Sequence, residues 1–390
     1  MSTGAYLSRG VSSSKEEVHR AVEKLGRGEY PGTFCSLIAD PLGDGGYCAA
    51  MHADGAGTKA ALAYIKYRES GDFSAYYNIA QDAVVMNLDD LICIGATDGF
   101  IMSNTIDRNA HRVDGNAIRA IIEGYSGFVA MLGAHGVGIV MSGGETADVG
   151  DLTGTLIVNS TLFVRMKRSD VIDCTNICPG DVIVGFASFG QASYEKTYNA
   201  GMGSNGLTAA RHLLLAPYYA EKYPETFSNT IDPSKAYCGR YRIEDILPGS
   251  GVTVGDAILS PTRTYAPLIR DILKDSPSSD IHGIVHCTGG GQVKCRNFGE
   301  GVHYIKDNMF DLPPLFAAIA EHGEIGMREM YSVFNMGHRM EIFCPESAAS
   351  RMISSAAEYG IDAKIVGRVE KSGTGANGVT ITADGGKFTF

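Results

Sequence analysis

Apolar runs of five to ten residues recur along the chain, most of them ending in glycine and leading into a stretch with helical spacing, which is the rhythm of an α/β protein. Ser14 to Leu25 predicts a first helix: Ser14 and Glu17 form a capping box, Val18, Ala21, Val22 and Leu25 share one face, and Gly26 ends it. Phe34 to Ala39 and Tyr47 to Met51 predict strands around a PLGDGG turn, and a glycine-containing turn at 52–59 leads into the apolar run Ala60 to Ile65. Tyr77 to Ile92 and Ala117 to Leu132 predict helices, with a strand at Phe100 to Ile106 between them. Val137 to Met141 is a further apolar run, and Leu156 to Val164 is rich in β-branched residues.

The polar stretch from Arg165 to Asp181 predicts a boundary, so the expected division is an N-terminal domain over 1–170 and a C-terminal one over 171–390. The second half restarts with the strand Val182 to Ala187, a polar insertion after Gly190, and a glycine-rich segment, Gly201 to Gly206, feeding a helix at Leu207 to Leu215. Residues 216–251 carry no strong periodicity. Leu259 to Arg263 is expected to open a helix, and Ile281 to Cys287 a strand. Tyr331 to Phe343 predicts a strand interrupted at Asn335 to Arg339, followed by a helix (Ser347 to Tyr359), a strand (Ala363 to Val369) and a polar tail with one hairpin.

Candidate chemistry sits at the ends of these runs. Asp54-Gly55-Ala56-Gly57-Thr58-Lys59 offers a carboxylate for a divalent cation, glycines that let backbone N–H groups approach a ligand, a hydroxyl and an ammonium. The spacing departs from GxxxxGK[ST], so a tight strand-to-helix connection explains it as readily as a phosphate site. A second cluster, Ser142-Gly143-Gly144-Glu145-Thr146-Ala147-Asp148, repeats the arrangement at another strand end. On the helix over 77–92, Asp82 and Asp89 lie about 20° apart with Asp90 beside them, which spacing reads as a solvated face or as a Mg²⁺ site. Lone His286 reads as a structural histidine.

Composition narrows the classes. A net charge of −11 gives no global field to draw the chain to nucleic acid or an anionic membrane, so an anionic ligand needs a local site. No signal core or membrane-length apolar run is evident, and nine cysteines are scattered singly, with Cys174 and Cys178 lacking the partners of a zinc site. A cytoplasmic protein with reduced thiols is the expectation.

The segments in their order resemble the aminoimidazole ribonucleotide synthetase family, also called phosphoribosylformylglycinamidine cyclo-ligase. The resemblance begins at Tyr6 and Gly10-Val11, and takes in DGAGTK at 54–59 and the MNLDDLICIGA run beginning at Met86. It continues through GGETAD at 143–148, SNG at 204–206, LSPTR at 259–263, HCTGGG at 286–291, FNMG at 334–337 and IVGRV at 365–369. It implies two mixed α/β domains, with N-terminal strands pairing across a homodimer to close a β-barrel. It also implies ATP-dependent closure of formylglycinamidine ribonucleotide to aminoimidazole ribonucleotide, with release of ADP and phosphate, in de novo purine synthesis. On this reading Asp54, Asp90 and Glu145 hold Mg²⁺, with Asp82 and Asp89 in reserve. Asp54 and Lys59 are catalytic, and Gly55, Gly57, Thr58, Lys59, Gly143, Gly144 and Thr146 line ATP. Ser204, Asn205 and Gly206 lie near the substrate.

Departures accompany the resemblance. Asp89 stands where the family has asparagine, Asp148 where it has glutamate, and Gly203 where it has a histidine whose role therefore does not carry over; the insertion over 191–200 splits the same loop. His338 follows FNMG and either compensates or is a local substitution. Competing readings are another ATP-using enzyme resembling the superfamily, such as selenophosphate synthetase or thiamine-monophosphate kinase, and a catalytically silent nucleotide-binding paralogue.

Overall fold

The structure is a computed structural model that describes residues 4, 6–11, 21, 28–383 and 385–390. The helix expected over Ser14 to Leu25 lies, apart from Ala21, outside the described residues. The first sheet contains β1 (Ile38–Ala39), β2 (Tyr47–Gly55), β3 (Phe100–Arg108), β4 (Ile139–Asp148) and β5 (Leu156–Lys167) in the order β1-β2-β5-β3-β4. All pairs are antiparallel except β3 and β4. That parallel pair requires a crossover, which α3 (Gly115–Ala134) supplies. Asp114 caps this helix by accepting the amides of Asn116 and Ala117.

Helices α1 (Lys59–Ser70) and α2 (Ser74–Ile92) cover the same face of the sheet as α3. Alternation in β5 shows why: Leu156, Val158, Leu162, Val164 and Met166 are buried beneath the helices, while Ile157 on the opposite face is 40% exposed. Met51, Phe163, Ile101 and Val140 form one cross-strand row on that opposite face, with Met51 67% and Val140 66% exposed. Helix α3 is as long and apolar as a membrane span. Here its Ile121, Tyr125, Phe128 and Leu132 are buried within the protein core, and Gly124 lets α2 approach so closely that a Cβ there would sit 2.1 Å from the Tyr77 carbonyl oxygen.

The second sheet has seven strands. They are β6 (Val182–Ala187), β9 (Gly283–His286), β10 (Val302–Lys306), β11 (His338–Cys344), β12 (Ala363–Lys371), β13 (Gly378–Ala383) and β14 (Gly386–Thr389), in the order β14-β13-β10-β12-β6-β11-β9. A two-stranded ribbon, β7 (Phe189–Gly190) with β8 (Asn199–Ala200), carries the insertion. Every residue of central β6 is buried, consistent with its continuous apolar run. Helix α4 (Leu207–Leu214) follows the glycine-rich segment, α5 (Ala266–Asp275) packs on α2, and α6 (Glu346–Glu358) packs on β6 and α5.

Three expectations change. LSPTR is an extended segment, and its helix starts only at Ala266 because Asp82, Glu195 and Arg339 hold its residues by side-chain bonds. The strand expected over Tyr331 to Phe343 is a helix, Met327–Val333, followed by β11; Met336 and Gly337, both at positive φ, turn the chain between them. His282, a hundred residues distant, stands beside Cys178 and Asp181, a neighbour that sequence spacing could not reveal.

His212 on α4 is fully buried, and its Nδ1 accepts the Tyr237 amide at 3.0 Å. Burial, aided by the nearby positive charges of Arg211 and Arg9, lowers its pKa to about 2. The unfolded chain therefore takes up a proton below pH 6.5 while the folded chain does not, so stability falls as the pH drops. We expect a loss of about 2 kcal/mol between pH 7.5 and 5 from this group. His212→Gln should remove that increment from the difference between urea unfolding curves at the two pH values.

Candidate active site

The turn after β2 brings its residues to different environments. Asp54 is exposed at the strand end, with Oδ1 accepting the Gly55 amide at 2.7 Å. Gly55 is buried, and a Cβ there would collide with Asn159 at 1.9 Å. Gly57 and Thr58 are exposed, and the Thr58 hydroxyl lies 3.0 Å from that of Thr208 on α4. The DGAGTK turn of the first sheet therefore meets the helix that follows SNG in the second half of the chain. Gly206 forms the entry to α4 at φ +79°, and a Cβ there would strike Phe334 at 2.4 Å, so both conformation and space require glycine.

Lys59 points inward. It is fully buried, and its Nζ donates to Asp82 Oδ1 at 2.6 Å and to the Ser260 carbonyl at 2.5 Å. Asp82 also accepts the Thr262 amide at 2.9 Å and the Thr262 hydroxyl. Burial draws the Lys59 pKa down against the opposing pull of Asp82. The ammonium expected at nucleotide phosphates is instead a tie between the α1–α2 unit and the LSPTR segment. The physical reason is that a lone cation in an apolar interior takes the nearest buried carboxylate. Ser204 joins this network through its hydroxyl, 3.3 Å from that of Thr262.

The solvated-face reading of α2 is corrected: Asp82 and Asp89 are both fully buried, and Asp90 is 9% exposed. Asp89 accepts the Thr264 hydroxyl at 2.7 Å and the Tyr265 amide at 3.2 Å, and Arg339 Nη2 lies 3.5 Å away. Burial raises its pKa, opposed by His286 and Arg339. Asp90 accepts from His286 Nδ1 at 2.6 Å, and His52 Nε2 lies 3.3 Å from its other oxygen. His52 and Asp54 are two residues apart on β2 and point to the same side, so Asp90 and Asp54 share one end of the sheet's helical face.

Glu145 is elsewhere within this chain. It pairs with Thr105, in a cross-strand row that runs through Asn159 to Gly55, three strand spacings or about 14 Å away. That row faces the side of the sheet opposite to Asp54. Gly144 and Thr146 alternate with it, while Gly143, at φ +116°, sits in the register slip between β3 and β4. Thus one chain brings together Asp54, Asp90, Thr58 and the SNG loop, but not Glu145.

Sequence reasoning missed Arg339. It is 3% exposed, its Nε donates to His286 Nε2 at 3.0 Å, and its Nη2 donates to the Arg263 carbonyl. Its Nη1 would lie 3.1 Å from a Cβ at Gly203, so the guanidinium, rather than His338, stands against the loop that lacks the family's histidine. His338 is fully buried against Glu341 at 2.8 Å, and Glu341 also accepts from Lys306 at 2.5 Å. The available signal was a pair of opposite charges: Asp89 stands where the family has asparagine, and Arg339 lies two residues beyond FNMG.

This arrangement defines a class, a two-part α/β protein in which a glycine turn from one sheet meets a glycine-capped helix from the other half, with Asp54 and Asp90 at the same end of the sheet. The chain belongs to the AIR synthase related protein family: residues 35–166 match its N-terminal domain and residues 178–378 its C-terminal domain. It is 28% identical over 378 residues to phosphoribosylformylglycinamidine cyclo-ligase of Methanosarcina acetivorans, covering 94% of this chain and 95% of that one. The same-named protein of Alkaliphilus metalliredigens is 26% identical over 366 residues, covering 93% and 91%. Among solved structures, T. maritima PurL complexed with FGAR superposes with a TM-score of 0.54 at 15% identity, covering 97% of this chain and 49% of that one. This chain therefore spans about half the length of that PurL. E. coli HypE, a hydrogenase maturation protein, gives 0.51 at 15% identity, covering 80% and 79%. Both likenesses concern the fold.

Proposed function

We propose that this protein is an enzyme that cyclises formylglycinamidine ribonucleotide to aminoimidazole ribonucleotide at the expense of ATP, in de novo purine synthesis. The observation that carries this reading is the meeting of the Asp54–Lys59 turn with the SNG helix through Thr58 and Thr208. It supports a nucleotide and a second substrate held on facing walls. The chemistry explains the need for both. The substrate's amide oxygen is a poor leaving group; its attack on the γ-phosphorus expels ADP and converts it to a phosphate ester. The neighbouring nitrogen then attacks that carbon, the ring closes and phosphate departs. Such a reaction asks the protein chiefly for positioning and charge neutralisation.

Asp54 and Asp90 suit Mg²⁺, because the ion takes carboxylate oxygens and keeps other positions for water and phosphate. Bound there, the ion would neutralise developing phosphate charge. The histidines beside Asp90 orient its carboxylate. Glu145 would join from a second copy. The exposed row of Met51, Phe163, Ile101 and Val140 supports that pairing, since a second copy whose edge strands continued this sheet would close a barrel with the row inside.

Purified protein mixed with ATP, Mg²⁺ and formylglycinamidine ribonucleotide is expected to release ADP, phosphate and aminoimidazole ribonucleotide in equal amounts. ATP binding without ring formation would overturn the reading in favour of a silent paralogue.

A further inference from the structure

A cavity of about 360 Å³, whose lining includes neither Asp54 nor Asp90, lies between α2, α3 and the inserted loop that joins β7 to β8. Its volume is at the low end of the roughly 300–1,000 Å³ of small-molecule sites. The insertion is held in place rather than draped over the surface. Glu195 forms two hydrogen bonds with the buried Arg263, at 3.0 and 2.6 Å, and also accepts the Ala192 amide at 2.7 Å. Asn199 donates to the Pro261 carbonyl at 2.7 Å. The wall it forms is therefore preorganised.

The lining combines flat aromatic faces with polar groups. Tyr77, Phe128 and Tyr198 supply the faces. The Asn78 amide, the Lys196 ammonium and the Tyr77 and Tyr198 hydroxyls lie around the cavity without a hydrogen-bond partner among the described residues. Gly127 on α3 makes room: a Cβ there would meet the Tyr77 hydroxyl at 1.9 Å. Aromatic faces suit a planar heterocycle, amide and hydroxyl groups suit its hydrogen-bonding edges, and one ammonium suits a single anionic group. A triphosphate would lack sufficient cations.

We propose that this cavity is a second ligand site, taking a nucleoside monophosphate whose base lies among Tyr77, Phe128 and Tyr198 and whose phosphate meets Lys196. The site is mechanically linked to the Lys59 network. Gln81, in its lining, donates to the Thr262 carbonyl at 2.8 Å. The adjacent residue, Asp82, holds the Thr262 amide and Lys59. A ligand that shifts α2 or the 261–262 backbone is therefore felt between the two halves of the chain.

The sequence contains no tryptophan, so Tyr198→Trp gives a single fluorescent reporter inside the cavity. Titration of this variant with AMP should give a saturable change, with AMP binding about threefold more tightly than adenosine. That preference should disappear in Tyr198→Trp/Lys196→Ala and persist in Tyr198→Trp/Asp54→Asn. Absence of a saturable signal, equal preference with and without Lys196, or loss of the signal on changing Asp54 would each overturn the proposal. The linkage, which alone rests on the proposed reaction, predicts that AMP lowers turnover of the wild-type enzyme without competing with ATP; purely competitive inhibition would overturn it. The fluorescence measurement is independent of turnover, so failure of the site and failure of the reaction are distinguishable.

Discussion

Asp54→Asn is expected to lower kcat/KM for ATP-dependent ring closure at least about 100-fold, equivalent to losing roughly 2.7 kcal/mol of transition-state stabilisation. The substitution keeps the shape of the side chain, and the amide oxygen can still accept the Gly55 N–H that Asp54 accepts at 2.7 Å. What it removes is the charge. Because Asp54 is exposed rather than buried, the thermal midpoint should move by no more than about 2 °C. Raising Mg²⁺ should recover part of the lost rate, since a weakened metal site is filled by mass action. ADP release measured against Mg²⁺ concentration tests this. Near-wild-type turnover would remove Asp54 from the site.

The elements of the fold were legible where periodicity was strong. Strand β6 follows from an unbroken apolar run, and α3 from its apolar stripe. Boundaries failed where tertiary bonds override local preference. LSPTR looked like a helix start, but its backbone and side chains bond to Asp82, Glu195 and Arg339, and the helix waits until these are satisfied. The site was legible as a set of residue types, with their directions hidden. Spacing placed Asp82 and Asp89 on one face of α2 correctly; only the second half of the chain, through Thr262, Thr264 and Arg339, turns that face from solvent into interior. Glu145 shows the same limit differently. A strand-end carboxylate can point to either side of a sheet, and a register slip between β3 and β4 intervenes just before it.

Lys59→Met should cost about 3–5 kcal/mol of folding stability, because it leaves Asp82 as a buried carboxylate without its cation. Both side chains are fully buried, so water cannot screen the loss. Thr262 would remain as a donor to Asp82, but its amide and hydroxyl carry no net charge. Removing the carboxylate as well, in Lys59→Met/Asp82→Leu, should restore at least half of the loss, since an apolar pair avoids the desolvation that the ionic pair must offset. Urea unfolding of the single and double variants measures the difference; a single-variant cost below about 1 kcal/mol would show that the pair does not tie the halves together. Activity separates structure from chemistry. If Lys59 serves the reaction by fixing the LSPTR segment through Asp82 and Ser260, the stabilised double variant should recover turnover relative to Lys59→Met. If its ammonium acts on phosphate, the double variant should be stable and inactive. The inward direction of Lys59 and its short bonds to Asp82 and Ser260 favour recovery.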